Sequence, residues 1–482
     1  MVDEKIETKS QVIDYLQSNF LGIGFQELND LVISNQNCVF CGACISLCPR
    51  IGMNEKEPEL IDNDPECSIC FRYCSRTYFP EDLLQRELFH DGAQKSYPLG
   101  FYQKLVTAKS TENEVLRVAQ NGGVVSSLLI HALESGLIDG VILTDKDEKW
   151  VPKPVIARTS SEILSYAGSK YTIAPTLSIY KDAINEFKLK KLAFVGLPCQ
   201  THSVRKFQLS SPLSKEYGKF TLIIGLYCYS NYSYDLMTKF VQGELRVPLK
   251  NVEKIDISRG KFYAYLKDGS FKAVPIQKTK KFSWQSCQYC KDYSAEIADI
   301  SVGSVGALKN DWNSVILRTD IGTKLFNEAV EANKLITSDK IDLFKIEQES
   351  LRKKTQLAQM DKKILFPLQI LNIPEFEIRT YLTLMLLGSA DESILSKVMK
   401  VEKKTVKTAL KTLKQRQWII GINSLYNSVN PTIVFNNEIH KLRKEFSEKI
   451  GKLKREVLPN LETLYAQNNF KNLRYDDDLN LI

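Results

Sequence analysis

Short apolar runs alternate with amphipathic segments through the middle of this chain, from about residue 100 to residue 365. Three runs, at residues 140–144, 192–196 and 222–226, have the β-branched density of buried strands. Residues 124–134 have helical spacing, and Gly136 follows them as a helix C-cap would. This order predicts an α/β domain with a largely buried sheet.

The pattern changes beyond residue 365. A helix is predicted to begin near Pro374 and to end at Gly388, followed by helices at residues 391–399 and 403–416. Residues 418–429 alternate like a β-wing. Apolar residues then recur at heptad-like spacing, which predicts a coiled segment that forms a homodimer; they are Ile439, Leu442, Phe446, Ile450, Leu453 and Val457.

Seven of the eleven cysteines lie between residues 38 and 74. The first run has the spacing of a bacterial-type ferredoxin, C-x2-C-x2-C-x3-C-P, from Cys38 to Pro49. The second run, D-x2-C-x2-C-x3-C from Asp64 to Cys74, has a carboxylate in the place of the first thiolate. Zinc sites and disulfides are the alternatives, but this spacing with its proline favours iron-sulfur clusters.

In two-cluster ferredoxins, the fourth cysteine of each run ligates the cluster of the other run. One [4Fe-4S] cluster is therefore expected on Cys38, Cys41, Cys44 and Cys74. The second is expected on Cys48, Asp64, Cys67 and Cys70. This second cluster is a [4Fe-4S] cluster with an aspartate ligand, a [3Fe-4S] cluster, or absent.

Composition limits the class of protein. The chain has 482 residues and a net charge of +8, which alone does not imply binding to nucleic acid. It has no apolar stretch long enough to span a membrane. The first ten residues are charged and lack the apolar core of a signal peptide, so a reducing cytoplasm is expected. The four histidines, His90, His131, His202 and His440, form no metal-binding or catalytic pattern.

Four further cysteines lie downstream of the first seven. Cys199 and Cys228 each follow a predicted strand, and ligands bind at the carboxyl ends of strands in α/β sheets. Cys287 and Cys290 form a close pair. From position alone, these thiols are either ligands of a third cluster, or two buried small residues and a redox dithiol.

Several motifs occur in one order: Asn-Gly-Gly-Val-Val at 121–125, Gly-Ser-Lys-Tyr at 168–171, Gly-Leu-Pro-Cys at 196–199, Arg-Gly-Lys-Phe at 259–262 and Asp-Ile-Ser-Val-Gly at 299–303. They resemble the coenzyme F420 hydrogenase/dehydrogenase beta-subunit family over residues 25–335. The resemblance implies FAD in the α/β domain and a [4Fe-4S] cluster beside it, held by Cys199, Cys228, Cys287 and Cys290. Glycines opening a helix can bring backbone amides to a pyrophosphate. The expected flavin contacts are Gly122, Gly123, Val124, Ser169, Lys170, Tyr171, Arg259, Lys261, Phe262 and Ser301.

The resemblance implies an enzyme that exchanges a hydride with coenzyme F420 through FAD. Single electrons would then pass through three clusters to a partner subunit. NAD(P)H or ferredoxin in place of F420 is one alternative. No protein nucleophile or acid-base pair is expected.

The C-terminal order of helices and wing resembles the winged helix-turn-helix of TrmB-like archaeal regulators. Its third helix carries a basic face suited to phosphates, so a redox-sensing DNA-binding regulator is the second alternative. The predicted domains are 1–95 with an N-terminal helix, two clusters and a ferredoxin-like fold, 96–365 with FAD and the third cluster, 366–432 as the winged helix, and 433–482 as a helical tail.

Overall fold

The computed structural model describes residues 24–54, 57–62, 67, 69–77, 81–89, 93–209, 219–356, 368–387, 389–422 and 424–473. The chain divides into two compact units, Met1–Gln356 and Leu357–Ile482. The predicted boundary at residue 365 lies outside the described residues, as do Asp64 and His90. None of the described helices combines the length and apolar character needed to cross a membrane.

Short elements form the N-terminal part of the first unit. They are α1 (Phe25–Leu28), α2 (Ala43–Leu47), β1 (Ile51–Met53), β2 (Pro58–Leu60), α3 (Ile69–Tyr73), α4 (Glu81–Leu88), β3 (Gln94–Ser96) and β4 (Gly100–Tyr102). A π-helical turn, Asn29–Ile33, follows α1. Strands β1 and β2 pair with each other, as do β3 and β4. Apolar side chains from α1 and α3 pack around the cysteines of this segment.

The main sheet confirms the predicted α/β class. Its helices are α5 (Asn113–Val118), α6 (Val124–Glu134), α7 (Ser160–Ser165), α8 (Tyr180–Asn185), α9 (Pro198–Leu209), α10 (Asp320–Glu331) and α11 (Leu343–Thr355). Its strands are β5 (Lys104–Ser110), β6 (Gly140–Lys146), β7 (Pro152–Ala157), β8 (Lys191–Gly196), β9 (Lys219–Leu226), β13 (Ile300–Gly303), β14 (Asn313–Leu317) and β15 (Leu335–Ser338).

This eight-stranded sheet is mixed, with the order β15-β5-β14-β13-β9-β8-β6-β7. Strands β13, β9, β8 and β6 are parallel neighbours, and the outer pairs are antiparallel. Helices α6 and α10 contribute to the apolar core on one face. Helices α8 and α9, together with Ala43 and Leu47 of the cysteine-rich segment, pack on the other face. Because β8 and β9 are parallel, the residues that follow them meet at one sheet edge.

A smaller antiparallel sheet inserts after β9. It contains β10 (Val252–Ser258), β11 (Lys261–Leu266) and β12 (Phe271–Pro275). The π helix Leu236–Glu244 packs its apolar side against this sheet. Two 3-10 segments, Ile276–Phe282 and Gln285–Tyr289, then return the chain to the main sheet edge.

The second unit is predominantly helical, as predicted. Its elements are α12 (Glu375–Leu387), β16 (Ser389–Ala390), α13 (Glu392–Met399), α14 (Lys403–Gln415), β17 (Ile419–Ile422), β18 (Leu425–Ser428), α15 (Pro431–Lys452) and α16 (Leu458–Leu473). Short 3-10 and π segments lie at Gln369–Leu371 and Leu453–Val457. The Asp391 side chain caps α13 by accepting the Ile394 N–H at 2.7 Å. Three helices and a β-wing match the predicted order.

Candidate iron-sulfur and flavin site

Four cysteines from three separate segments line one pocket at the edge of the main sheet. Cys199 lies in the first turn of α9, directly after β8, and Cys228 follows β9. Cys287 lies in the 3-10 segment Gln285–Tyr289, and Cys290 is the residue that ends it. The fold therefore brings together the four downstream cysteines, as the resemblance implied.

Burial and mutual proximity disfavour negative charge on the pocket thiols. Burial raises the pKa of Cys199, and negative charge on Cys290 raises it further. Burial likewise raises the pKa of Cys228, with Cys287 as the next contribution. Several thiolates can coexist in such a pocket only with a cation among them. This donor set therefore fits an iron-sulfur cluster.

Polar groups hold the cysteine loop in position. The Asn231 N–H donates to Cys287 Sγ at 3.3 Å, and Cys290 Sγ donates to Asp292 O at 3.5 Å. Gln356 Nε2 donates to the carbonyls of Cys287 and Cys290 at 2.7 and 2.8 Å. Lys353 Nζ donates to Cys287 O at 2.9 Å and also to Tyr229 O.

Sequence reasoning missed both Lys353 and Gln356, at the end of α11. They lie more than sixty residues from the cysteines they support, and no motif marks them. It also assigned no role to His202, whose Nε2 lies 3.2 Å from Asp292 Oδ2 beside the pocket. The Cys-Lys-Asp sequence at 290–292 was the available signal for Asp292.

A first N-terminal group of thiols contains Cys74 and the first three cysteines of the first run. Burial raises the pKa of Cys44 well above its usual value, and negative charge on Cys41, Cys38 and Cys74 adds to this rise. This group, hereafter the proximal thiols, is Cys38, Cys41, Cys44 and Cys74. Cys74 thus lies near thiols of the other run, the arrangement expected of two-cluster ferredoxins.

Backbone geometry supports the proximal thiols. The Phe40 N–H donates to Cys38 Sγ at 3.3 Å, and the Arg76 N–H donates to Cys74 Sγ at 3.4 Å. Gly42 has φ +85°, and a Cβ there would lie 2.6 Å from both Pro175 O and Ser178 N. Glycine is therefore required between Cys41 and Ala43.

A second N-terminal group contains Cys48, Cys67 and Cys70, hereafter the distal thiols. Burial raises the pKa of Cys70 to about 12, and negative charge on Cys48 and Cys67 contributes to the rise. The predicted fourth ligand, Asp64, lies outside the described residues. Its role stays a prediction.

Within the described part of the chain, no three His, Cys, Asp or Glu side chains converge closely enough to hold a single metal ion. The eleven cysteines are free thiols, which disfavours disulfides.

Gln120, directly before the glycine motif, contacts one of the flavin candidates, Ser169. Its Oε1 accepts the Ser169 N–H at 3.2 Å, while its Nε2 donates to Ile255 O at 3.1 Å and to Asp256 Oδ1 at 2.9 Å. One side chain thus joins the loop before α6 and the loop after α7 to strand β10. The sequence motifs identified these two loops but not the glutamine that connects them to β10.

The glycine pair lies at the start of α6, as predicted. Gly123 has φ +75°, and a Cβ there would lie 2.7 Å from Val115 Cγ1. A Cβ on Gly122 would lie 2.9 Å from Asn313 N. The Val124 N–H faces Asn313 Oδ1 at 3.4 Å. The chain therefore approaches β14 closely at this helix start, which any larger side chain would prevent.

Lys170 and Tyr171 lie on the segment that leads from these loops to the four-cysteine pocket. Lys170 Nζ donates to the carbonyls of Tyr166, Ala167 and Gly168, so its ammonium group faces its own loop. Burial raises the pKa of Tyr171. The Thr172 Oγ1 atom, next along the chain, is buried without a hydrogen-bond partner among the described residues. The hydroxyl of Ser286, which lines the pocket, is likewise buried without a hydrogen-bond partner among the described residues. Hydroxyl groups left unpaired in this way are suited to hydrogen bonds with a bound cofactor.

The remaining flavin candidates have different surroundings. Arg259 and Lys261 are exposed at the β10–β11 turn. Phe262 is fully buried in the apolar core of the smaller sheet, against Phe240. The Ser301 hydroxyl donates to Ala295 O at 3.1 Å and accepts from Arg318 Nε at 2.7 Å. Phe262 and Ser301 thus have structural roles in this fold that the motifs did not reveal.

The winged helix in the second unit has a distinctly basic face. Helix α14 buries Val406, Ala409, Leu410 and Leu413. Its opposite face exposes Lys403, Lys404, Lys407, Lys411 and Lys414. Arg416, which follows the helix, instead pairs with Glu438 at 3.3 Å.

Comparison with known proteins identifies both units. Residues 105–181 and 189–342 match the family models of the N-terminal part and the C terminus of the coenzyme F420 hydrogenase/dehydrogenase beta subunit. Residues 368–432 match the model of the sugar-specific transcriptional regulator TrmB. The second unit is therefore similar to TrmB, as the sequence predicted.

Two relatives and one solved structure resemble the first unit. The coenzyme F420 hydrogenase subunit beta of Methanothermobacter thermautotrophicus is 39% identical over 48% of this chain and 83% of its own length. An F(420)H(2) dehydrogenase subunit of Methanosarcina mazei is 30% identical over 69% and 91%. A chain of the F420-reducing [NiFe] hydrogenase complex from Methanosarcina barkeri has TM-score 0.53 and 34% identity over 56% and 94%. This chain belongs to the coenzyme F420 hydrogenase/dehydrogenase beta-subunit family.

Proposed function

We propose that this chain is an F420-dependent oxidoreductase, an iron-sulfur flavoprotein that exchanges a hydride with coenzyme F420 through FAD and passes single electrons to a partner subunit. The convergence of Cys199, Cys228, Cys287 and Cys290 on one pocket carries this proposal, and the chain segment from Ser169, which contacts Gln120, leads to the pocket residue Ile173. Relatives named for F420 chemistry support it. The solved neighbour belongs to a complex, which supports a partner subunit.

The thiols would hold three [4Fe-4S] clusters, and the loops around Gln120 would hold FAD. When bound, FAD exchanges a hydride and each cluster exchanges one electron. The Phe40, Arg76 and Asn231 amides donate to ligand sulfurs. Such bonds stabilise negative charge on sulfur and raise the reduction potential of a cluster.

Val39, Ile173 and Trp284 line the pocket with apolar surface. Ile173 is also fixed by its N–H, which donates to Tyr232 O at 2.8 Å. The segment that carries Ser169 and Lys170 therefore ends at the pocket, so a flavin on this segment would lie close to the cluster.

The direct test uses the anaerobically reconstituted protein with FAD and iron. Reduced F420 should bleach the flavin absorbance, and a one-electron dye should then become reduced. NADPH and reduced ferredoxin, tested in parallel, separate the alternative donors. Full retention of flavin colour with reduced F420 would refute the F420 assignment.

A Cys228→Ser variant separates the two half-reactions. Flavin bleaching should remain, because Cys228 is a cluster ligand in this proposal. Dye reduction should fall, because the route from flavin through the pocket is interrupted. Equal dye reduction in the variant and the wild-type protein would remove the pocket cluster from the route.

A second candidate function, a redox-sensing DNA-binding regulator, is favoured by the five exposed lysines of α14. If these contact phosphates, the logarithm of affinity should fall with the logarithm of salt concentration with a slope approaching about −4.5. Substituting Lys407 and Lys411 by Ala should make that slope shallower by about 2. Lys449→Ala, on α15, is the matched control. No shift of genomic DNA fragments at low salt would remove this function.

A further inference from the structure

Arg76 lies between two thiol groups that the sequence places in separate domains. Its N–H donates to Cys74 Sγ at 3.4 Å, so its backbone belongs to the proximal thiols. Its side chain reaches the other way, where Nη2 donates to Ser286 O at 3.0 Å and the residue lines the four-cysteine pocket. One residue therefore contacts both groups.

A second contact fixes the same junction. Trp284 Nε1 donates to Cys38 O at 2.7 Å, and Trp284 also lines the pocket. Its ring lies 6.3 Å from that of Phe40. Arg76 of the N-terminal segment bonds to Ser286 of the pocket segment, and Trp284 of the pocket segment bonds to Cys38 of the N-terminal segment. These two contacts hold the proximal thiols next to the pocket.

The charge of Arg76 acts on both groups. The backbone N–H of Arg76 contacts Cys74 Sγ on the proximal side, and its Nη2 reaches Ser286 O in the lining of the four-cysteine pocket. Other buried cations act on one group each. Lys206 Nζ donates to Cys74 O at 2.6 Å on the proximal side, and Lys353 Nζ donates to Cys287 O at 2.9 Å on the pocket side.

The Arg76 guanidinium has N–H donors besides the one that bonds to Ser286 O. Arg76 Nε is buried and has no hydrogen-bond partner among the described residues. A buried N–H donor without an acceptor is costly unless a bound anionic group accepts it. A cluster with four thiolates carries negative charge and offers sulfur acceptors.

We propose that Arg76 is a positioning residue that sets the reduction potentials of two neighbouring clusters together, the pocket cluster and the cluster on the proximal thiols. This inference rests on the proposed function. Transfer between the two clusters oxidises one by a single electron and reduces the other by one, with no bond broken and no proton moved. A shared cation stabilises the added negative charge on either cluster, so both potentials rise and the gap between them changes little.

The test is a redox titration of the reconstituted full chain, followed by EPR of the reduced clusters. Arg76→Gln should lower the ratio of reduced to oxidised form about tenfold or more at a fixed solution potential for both clusters, which is about 59 mV for one electron. Lys206→Met should shift the proximal cluster alone. Arg158→Gln removes an exposed positive charge from the same unit and should shift neither cluster.

Arg76→Lys separates charge from contact. It retains the positive charge and should keep both potentials, although the guanidinium contact to Ser286 O is lost. A tenfold fall in Arg76→Lys would overturn the charge-based role even if Arg76→Gln takes up too little iron to be titrated. A shift of only one cluster in Arg76→Gln, or of neither, would also overturn it.

Failure of this inference is distinguishable from failure of the proposed function. Wild-type protein that binds iron and is bleached by reduced F420 supports the proposed function whatever the Arg76 variants do. Unchanged potentials in Arg76→Gln, with wild-type iron content, would then refute the role of Arg76 alone. Wild-type protein without clusters would refute both.

Discussion

Lys170 carries a pH-dependent prediction because its ammonium group is buried against backbone carbonyls. Nζ donates to Tyr166 O, Ala167 O and Gly168 O at 2.5, 3.1 and 2.8 Å. Burial lowers the pKa of Lys170 from 10.5 to about 8, and the Asp145 carboxylate opposes this effect only in part. The folded chain therefore loses this proton at a lower pH than the unfolded chain does.

Between pH 8 and 10.5 the unfolded chain binds more protons, so stability rises with pH through this window. Below pH 8 both states are protonated, and the fold bears the full cost of the buried charge. The two pKa values differ by about 2.5, and each pKa unit is worth about 1.4 kcal/mol. The wild-type protein should therefore gain about 3 kcal/mol relative to Lys170→Met across the window.

The assay is thermal unfolding of both proteins at pH 8 and pH 10.5. At about 2 °C per kcal/mol for a unit of this size, the wild-type melting temperature should rise by about 6 °C relative to Lys170→Met. Lys153→Met is the control, because Lys153 lies 4.0 Å from the same Asp145 but is half-exposed. Melting temperatures of wild type and Lys170→Met that change in parallel would refute the reasoning.

Three further predictions concern the cysteines, the glycine pair and the helical tail. Cys290→Ser should remove about four irons of about twelve and leave the FAD content unchanged, which iron and flavin assays measure. Gly123→Ala should destabilise by about 1–3 kcal/mol in thermal unfolding and reduce bound FAD, whereas Gly136→Ala, with φ +68° but open space around it, should retain FAD. The double variant Phe446→Glu, Leu453→Glu should halve the mass in sedimentation if the exposed apolar residues of the tail form a dimer, and Lys449→Glu should not.

The sequence predicted the elements whose determinants are local. Periodicity located β6, β8 and β9 within two to three residues, because buried parallel strands are nearly continuous apolar runs. Asp391 and Pro374 marked the starts of α13 and α12 in the same way. Cysteine spacing likewise indicated the N-terminal cysteine runs, because the cysteines within each run lie three or four residues apart.

The sequence could not predict which buried polar groups hold the site together. Arg318 is fully buried and donates to Leu99 O, Phe101 O, Ser294 and Ser301. It thereby fixes the loop just after Cys290 to the sheet. No pattern distinguishes Arg318 from a surface arginine, because its partners are groups that only the folded chain brings together.

The flavin motifs show a related limit of prediction from sequence. Phe262 and Ser301 belong to motifs typical of the family, yet each makes its contacts within the protein. Phe262 packs in an apolar core, and the Ser301 hydroxyl has two hydrogen-bond partners in the protein. Gln120 precedes the glycine motif and was not selected, yet it joins the loop after α7 to strand β10. A motif therefore shows that a position matters without distinguishing a residue that touches the cofactor from one that shapes its site. Substituting Gln120 by Leu should accordingly lower FAD content more than Ser301→Ala does, since only the former disconnects the loops.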